Sequence, residues 1–133
     1  MSWLETGSIL IGKPHSEHVS INIVDRDDKE GWLSGTLDVR AGAWGGNCRA
    51  WFHRGELRQL ASELENLYRD LVGPSQFTPM EPYLEMKFTG NGRGSITVDG
   101  IARDDENHLT FRLELDQTEL PQIIKSLELA DPI

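Results

Sequence analysis

Residues 17–25 alternate between apolar and polar. Val19, Ile21 and Ile23 fall on one side, and His18, Ser20 and Asn22 on the other. A period of two is that of a half-buried β-strand. The alternation returns over residues 32–41 through Leu33, Leu37 and Val39. It returns again over 47–53, where Cys48, Ala50 and Phe52 share one face and Arg49, Trp51 and His53 the other. The apolar run at 7–12 (GSILIG) reads as a short strand before them. Polar turns at 13–16 and 25–30 separate these segments. Glycines 42, 45 and 46, around Trp44, suggest a bulge or a close backbone crossing.

The period then changes. Leu57, Leu60, Ala61, Leu64, Leu67, Tyr68 and Leu71 recur at spacings of three and four, which predicts an amphipathic helix over about 54–72. Gly73-Pro74 is its expected stop. Its polar face carries Arg58, Ser62, Glu63, Glu65, Asn66, Arg69 and Asp70, with Glu65 and Arg69 in the favourable order four apart. Strand patterns resume at 83–88, at 96–100 with Ala102, and at 109–115. Turns rich in Asn, Gly and Asp at 91–94 and 104–107 join them. Thr118 is placed to cap a final short helix with Pro121 in its first turn; Leu120, Ile123, Ile124 and Leu127 form its inward side. The fold class is therefore α+β: about seven strands, largely antiparallel because the connections are short, covered by one long helix and closed by a short C-terminal one. Periodicity leaves open whether the strands form one sheet or two packed sheets.

At 133 residues the chain fits one domain, 1–133, with no linker or evident repeat. Cys48 is the sole cysteine, so no intrachain disulfide forms, which suits a reducing compartment. The opening MSWLETGSILIGKPHSEH lacks the basic and long apolar regions of a signal peptide, and no run approaches a membrane span. A cytoplasmic protein is expected.

Charge narrows the partners. Thirteen Lys and Arg against twenty-two Asp and Glu give a net charge of -9. Such a surface repels nucleic acid and anionic membrane and attracts basic proteins. The candidate contacts are Asp27, Asp28 and Glu30 in one turn, Glu63, Glu65 and Asp70 on the helix, and Asp104, Asp105 and Glu106 in another turn.

Catalytic chemistry finds no comparable support. His15, His18, His53 and His108 lack metal-ligand spacing with one another or with Cys48 and read as exposed polar residues; no metal or cofactor is assigned. Cys48 shares an apolar strand face, away from His53, as a structural thiol would. Carboxylate pairs such as Asp27 with Asp28 and Glu81 with Glu85 sit mostly in turns, as solvated carboxylates do. Gly90–Gly94 is followed by a strand rather than by the helix a phosphate loop needs. No catalytic residue is named, and the balance is against an enzyme. Trp44, Trp51 and His53 remain as a candidate pocket or contact, since aromatic residues on a sheet make good interface anchors.

The chain also resembles a family of small bacterial proteins that includes relatives of WapI-type immunity proteins. The likeness rests on the G-S-I-L-I-G opening, A-G-A-W-G-G at 41–46, the helix ending near Leu71-Val72-Gly73, and L-E-L-D-Q-T-E-L-P at 113–121. The resemblance implies a protein that binds and blocks a partner toxin, and it brings no catalytic residues. Two other readings stand beside it: a small-ligand protein or enzyme without a readable motif, and a homodimeric module pairing through a sheet edge.

Overall fold

The computed structural model describes residues 7–132. Residues 1–6, on which the reading of the leader partly rests, and residue 133 lie outside the described residues. Strands β1 (Ser8–Gly12), β2 (His18–Asp27), β3 (Trp32–Ala41) and β4 (Trp44–His53) form one antiparallel meander in that order. Helix α1 (Glu56–Asp70) follows. Strands β5 (Ser75–Phe77), β6 (Leu84–Gly90), β7 (Ser95–Arg103) and β8 (His108–Asp116) form a second meander. A 3-10 turn (Gln117–Glu119) then leads into α2 (Leu120–Ala130). Two sheets thus replace the open choice of one or two. The chain passes twice through the same order, four strands and then a helix, although its residues display no repeat.

Alternation selects the inward faces. Ile9, Ile11, Val19, Ile21, Leu37, Val39 and Phe52 are buried from the first sheet, and Leu84, Phe88, Ile96, Val98 and Leu113 from the second. Helix α1 adds Leu57, Leu60, Ala61, Leu64 and Leu67, and α2 adds Leu120, Ile123, Ile124 and Leu127. All belong to one apolar cluster. The helices pack on each other, α2 also on β1 and α1 also on β5. Each helix has one apolar stripe, and burial of such side chains is worth roughly 1.5–3 kcal/mol apiece, so this packing is the main source of their stability.

Several local expectations are corrected. β4 begins at Trp44, not at 47, because Gly45 and Gly46 pair with Arg40 and Val39; lacking side chains, they interrupt the pattern but not the ladder. The turn is reduced to Gly42 and Ala43, with Gly42 at φ 62. Tyr68 is 47% exposed rather than part of the buried stripe. Helix α1 ends before Gly73: Leu71 adopts the left-handed conformation at φ 60, its N–H donating to Leu67 O at 2.7 Å. The Leu71 carbonyl accepts from the Gly92 N–H at 2.9 Å, and a Cβ on Gly90 would meet that oxygen at 2.2 Å. Arg69 turns to Asn66 and Asp70 and not to Glu65. The N-cap of the 3-10 turn leading into α2 is Asp116, whose carboxylate accepts from the Thr118 N–H and hydroxyl while Glu119 accepts from the Asp116 N–H. Thr118 is thus a donor to the cap rather than the cap itself.

The N-terminus of α1 is capped from the far end of the chain. Gly55 occupies the cap position and has no side chain to offer. The buried Asp131, just past α2, supplies it: its carboxylate accepts from Gly55 N–H at 2.8 and 3.0 Å and from Arg58 N–H at 3.2 Å. Arg58 in turn donates to the carbonyls of Asp131 and Glu128. Across the fold, Arg26 of β2 donates to the Ala130 carbonyl.

Candidate functional site

β4 is an edge strand, and its two faces carry different chemistry. Trp44 shares the parity of Cys48, Ala50 and Phe52, yet it is 74% exposed because it lies beyond the covered part of the sheet. With Leu37, Val39 and Cys48 it lines a largely apolar groove of about 280 Å³ whose other wall is Ala102–Asp104 and Asn107–Leu109. Trp51 and His53 point from the opposite face. The three residues Trp44, Trp51 and His53 therefore do not form one pocket.

On that opposite face an aromatic group assembles from segments far apart in sequence. The pairing of β3 with β4 sets Trp32 opposite His53 and Ser34 opposite Trp51. Trp32 meets His53 edge-on at 5.0 Å, and Trp51 meets Tyr83 at 5.6 Å. His53 is held by the Glu30 carbonyl at 3.1 Å from Nε2. Trp32, Trp51, Tyr83 and Glu81 line a shallow recess of about 240 Å³. Tyr83 enters just ahead of β6, with the Arg103 N–H donating to its carbonyl. Burial pushes the Tyr83 phenol up, and the negative charges of Glu81 and Asp105 push it further. Sequence reasoning clustered the tryptophans but missed Glu81 and Tyr83 as members of a site, since nothing local links residue 83 to residue 51.

The acidic candidates fall into three places. Asp27, Asp28 and Glu30 form the β2–β3 turn beside Trp32 and His53. Asp27 is occupied there: its carboxylate accepts from the Lys29 and Glu30 N–H groups. Asp104, Asp105 and Glu106 form the β7–β8 turn. Asp104 accepts from the Glu106 and Asn107 N–H groups, and these hydrogen bonds, that from Asn107 foremost, hold its carboxyl below the usual range. Glu63, Glu65 and Asp70 stand on α1, where Glu63 lines a separate polar recess with Arg54, Glu56 and Gln59. Among the described residues, Asp28, Glu30, Glu63, Glu65, Asp105 and Glu106 make no ion pair, so their charge is directed to solvent. The first turn reaches the aromatic group through the Glu30 carbonyl on His53, and the Asp105 charge of the second acts on Tyr83. From α1 it is Glu56 that arrives there, accepting from the His53 and Met80 N–H groups at 2.6 and 2.7 Å.

The remaining chemical groups have structural settings. Cys48 is half-buried, with its thiol 3.8 Å from the Arg103 carbonyl. Burial and then the Asp104 charge push its pKa up, which suppresses the thiolate that nucleophilic chemistry requires. His18 is buried, contrary to the expectation of an exposed side chain. Its Nε2 lies 2.8 Å from Asp38, and its Nδ1 faces the carbonyls of Lys13 and Ser16, so it ties the β1–β2 turn to β3. Among the described residues no cluster of His, Cys, Asp and Glu is placed to hold a metal ion, and no helix is long and apolar enough to cross a membrane.

Comparison with known proteins agrees with this architecture. A family model described as the Immunity protein WapI-like family matches residues 9–130. No curated protein matches the sequence. A solved structure titled "Crystal structures of trypanosoma bruciei MRP1/MRP2" is similar, with a TM-score of 0.50 and 12% identity over 92% of this chain and 81% of that one. At that identity the likeness is one of fold alone.

Proposed function

The chain belongs to the Immunity protein WapI-like family, and on that premise we propose that it binds a toxin and neutralises it, the toxin being a basic protein. The match across residues 9–130 carries the reading. The net charge of -9 supports the sign of the partner, because carboxylates without internal partners speed encounter with a cationic surface. We place the contact surface around β4, where exposed aromatic side chains adjoin the Asp27–Glu30 and Asp104–Glu106 turns. The carboxylates of α1 are a second, longer-range contribution. The same reading takes the chain as one domain, in keeping with its shared apolar cluster, acting in the cytoplasm where the toxin would first threaten its producer.

The test has two stages. The protein is used at low salt to capture a partner, and the captured protein is then expressed in a naive cell with and without this chain. Growth arrest by the partner, relieved by the chain, with binding that weakens as salt rises, is the expected result. A captured partner that is harmless, or whose toxicity the chain leaves unchanged, refutes the reading.

A further inference from the structure

We propose that the recess of Trp32, Trp51, Tyr83 and Glu81 is a socket for a single cationic side chain of the partner, with arginine preferred over lysine. The inference rests on the basic-partner reading above and adds the residue type recognised and where it seats. Three aromatic rings and one carboxylate converge on about 240 Å³, below the roughly 300–1,000 Å³ of small-molecule pockets and suited to one inserted side chain. A guanidinium stacks on aromatic faces while its N–H groups donate to a carboxylate. The protein itself demonstrates the first half: the Arg49 guanidinium carbon lies 5.5 Å from the Trp51 ring centroid, within the roughly 6 Å range of cation–π attraction. Arg49 does not line the recess, so the space bounded by Tyr83 and Glu81 is left for a second cation.

The alternatives fit less well. An apolar side chain would cover Glu81 and desolvate its carboxylate without a partner. An anionic ligand would meet the Glu81 carboxylate, which pairs with no cation among the described residues, while the neighbouring Arg103 is already engaged by Glu85 and the Pro82 carbonyl. A guanidinium satisfies both the rings and the carboxylate. The rings are also positioned in advance, with Trp51 tilted 45° against Tyr83 and Trp32 edge-on to His53, so little side-chain freedom is lost on binding.

The experiment uses the intact protein and three capped peptides, Gly-Arg-Gly, Gly-Lys-Gly and Gly-citrulline-Gly, titrated at low salt while the indole N–H signals of Trp32 and Trp51 are followed by NMR. The arginine peptide is expected to shift both signals, the lysine peptide to do so more weakly, and the uncharged citrulline peptide to leave them in place. Glu81→Gln is expected to weaken the arginine response about five-fold with an unchanged melting temperature, and Tyr83→Leu by a similar factor with a somewhat lower one, since Tyr83 also packs on the core. Equal shifts with arginine and citrulline, or an unaltered response in Glu81→Gln, overturn the socket. Shifts confined to the amides of the two acidic turns also overturn it. Indole shifts that depend on protein concentration without peptide identify a second copy as the occupant and overturn it as well. Because the probes are peptides, these outcomes are independent of the toxin test: the socket can fail while neutralisation stands, and the reverse.

Discussion

Replacing Asp131 with alanine removes the cap of a helix seventy-five residues earlier in the chain. Asp131 is 1% exposed, and its carboxylate accepts from two backbone donors, Gly55 and Arg58, at 2.8–3.2 Å. Gly55 has no side chain to replace it, and the site is too closed for bulk water to do so fully. Loss of a helix cap costs about 1 kcal/mol, and leaving a buried donor unpaired costs a further ~1–3 kcal/mol. The expected total is about 2–4 kcal/mol. For a chain of this length each kcal/mol moves the melting point by roughly 4 °C, so Asp131→Ala should melt ~8–16 °C lower. Asp131→Asn keeps an acceptor but loses the charge that favours a helix N-terminus, and should lose about 1 kcal/mol. Asp70→Ala, at the exposed C-terminal end of the same helix, should change little. Denaturant unfolding by circular dichroism checks the series, with a shifted midpoint and an unchanged slope. Hydrogen exchange at the Arg58 amide should quicken in the alanine variant alone. Equal stability of Asp131→Ala and the parent, or equal losses for Asp131→Ala and Asp70→Ala, would refute the capping argument.

Other expectations follow from the same geometry. Leu64 is fully buried, so Leu64→Asp places an unpaired charge in the core and should abolish cooperative unfolding; an unchanged thermal melt would contradict the packing of α1. A Cβ on Gly100 would lie 2.3 Å from the Phe111 ring, so Gly100→Ala should cost about 1–3 kcal/mol, and Phe111→Leu in the same chain should recover part of it in a double-mutant cycle. The Thr118 hydroxyl and N–H hold the Asp116 carboxyl below its usual range. Its contribution is therefore full above the unfolded value of about 4 and fades as pH falls through the lower folded value; Asp116→Asn should flatten that acid limb in unfolding measured against pH. Glu63→Lys with Glu65→Lys should leave the melt intact and slow association with a basic partner at low salt, as read by stopped-flow fluorescence; an unchanged rate would remove the helix face from the encounter.

The long elements were legible because their signal is periodic. The alternation in β2 and β3 and the stripe of α1 locate inward faces without further information. β5 was not, since three residues between Gly73 and Pro79 hold too little pattern to register a period; it brings the strands to eight where periodicity gives about seven. The start of β4 was lost for a related reason, two glycines having no side chains to alternate. The candidate site was legible only in part. The acidic turns and Trp51 stand out in sequence, but Glu81 and Tyr83 acquire meaning only when β6 brings them beside β4. Asp131 lay beyond reach as well, because its partners are backbone groups, which sequence does not distinguish.

The two passes through four strands and a helix give the molecule like halves with unlike exteriors. All four tryptophans precede residue 54, whereas the outer side of the second sheet carries Glu85, Lys87, Asp99 and Arg112, the last two bonded to each other at 2.7 Å. The aromatic recess draws Trp32 and Trp51 from the first half and Glu81 and Tyr83 from the second, and among the described residues the outer side of the second sheet holds no tryptophan to repeat it. On the proposed reading, a scaffold repeated without a repeated surface offers one socket per chain: the expected titration is one to one, with no second arm to cross-link targets into larger assemblies.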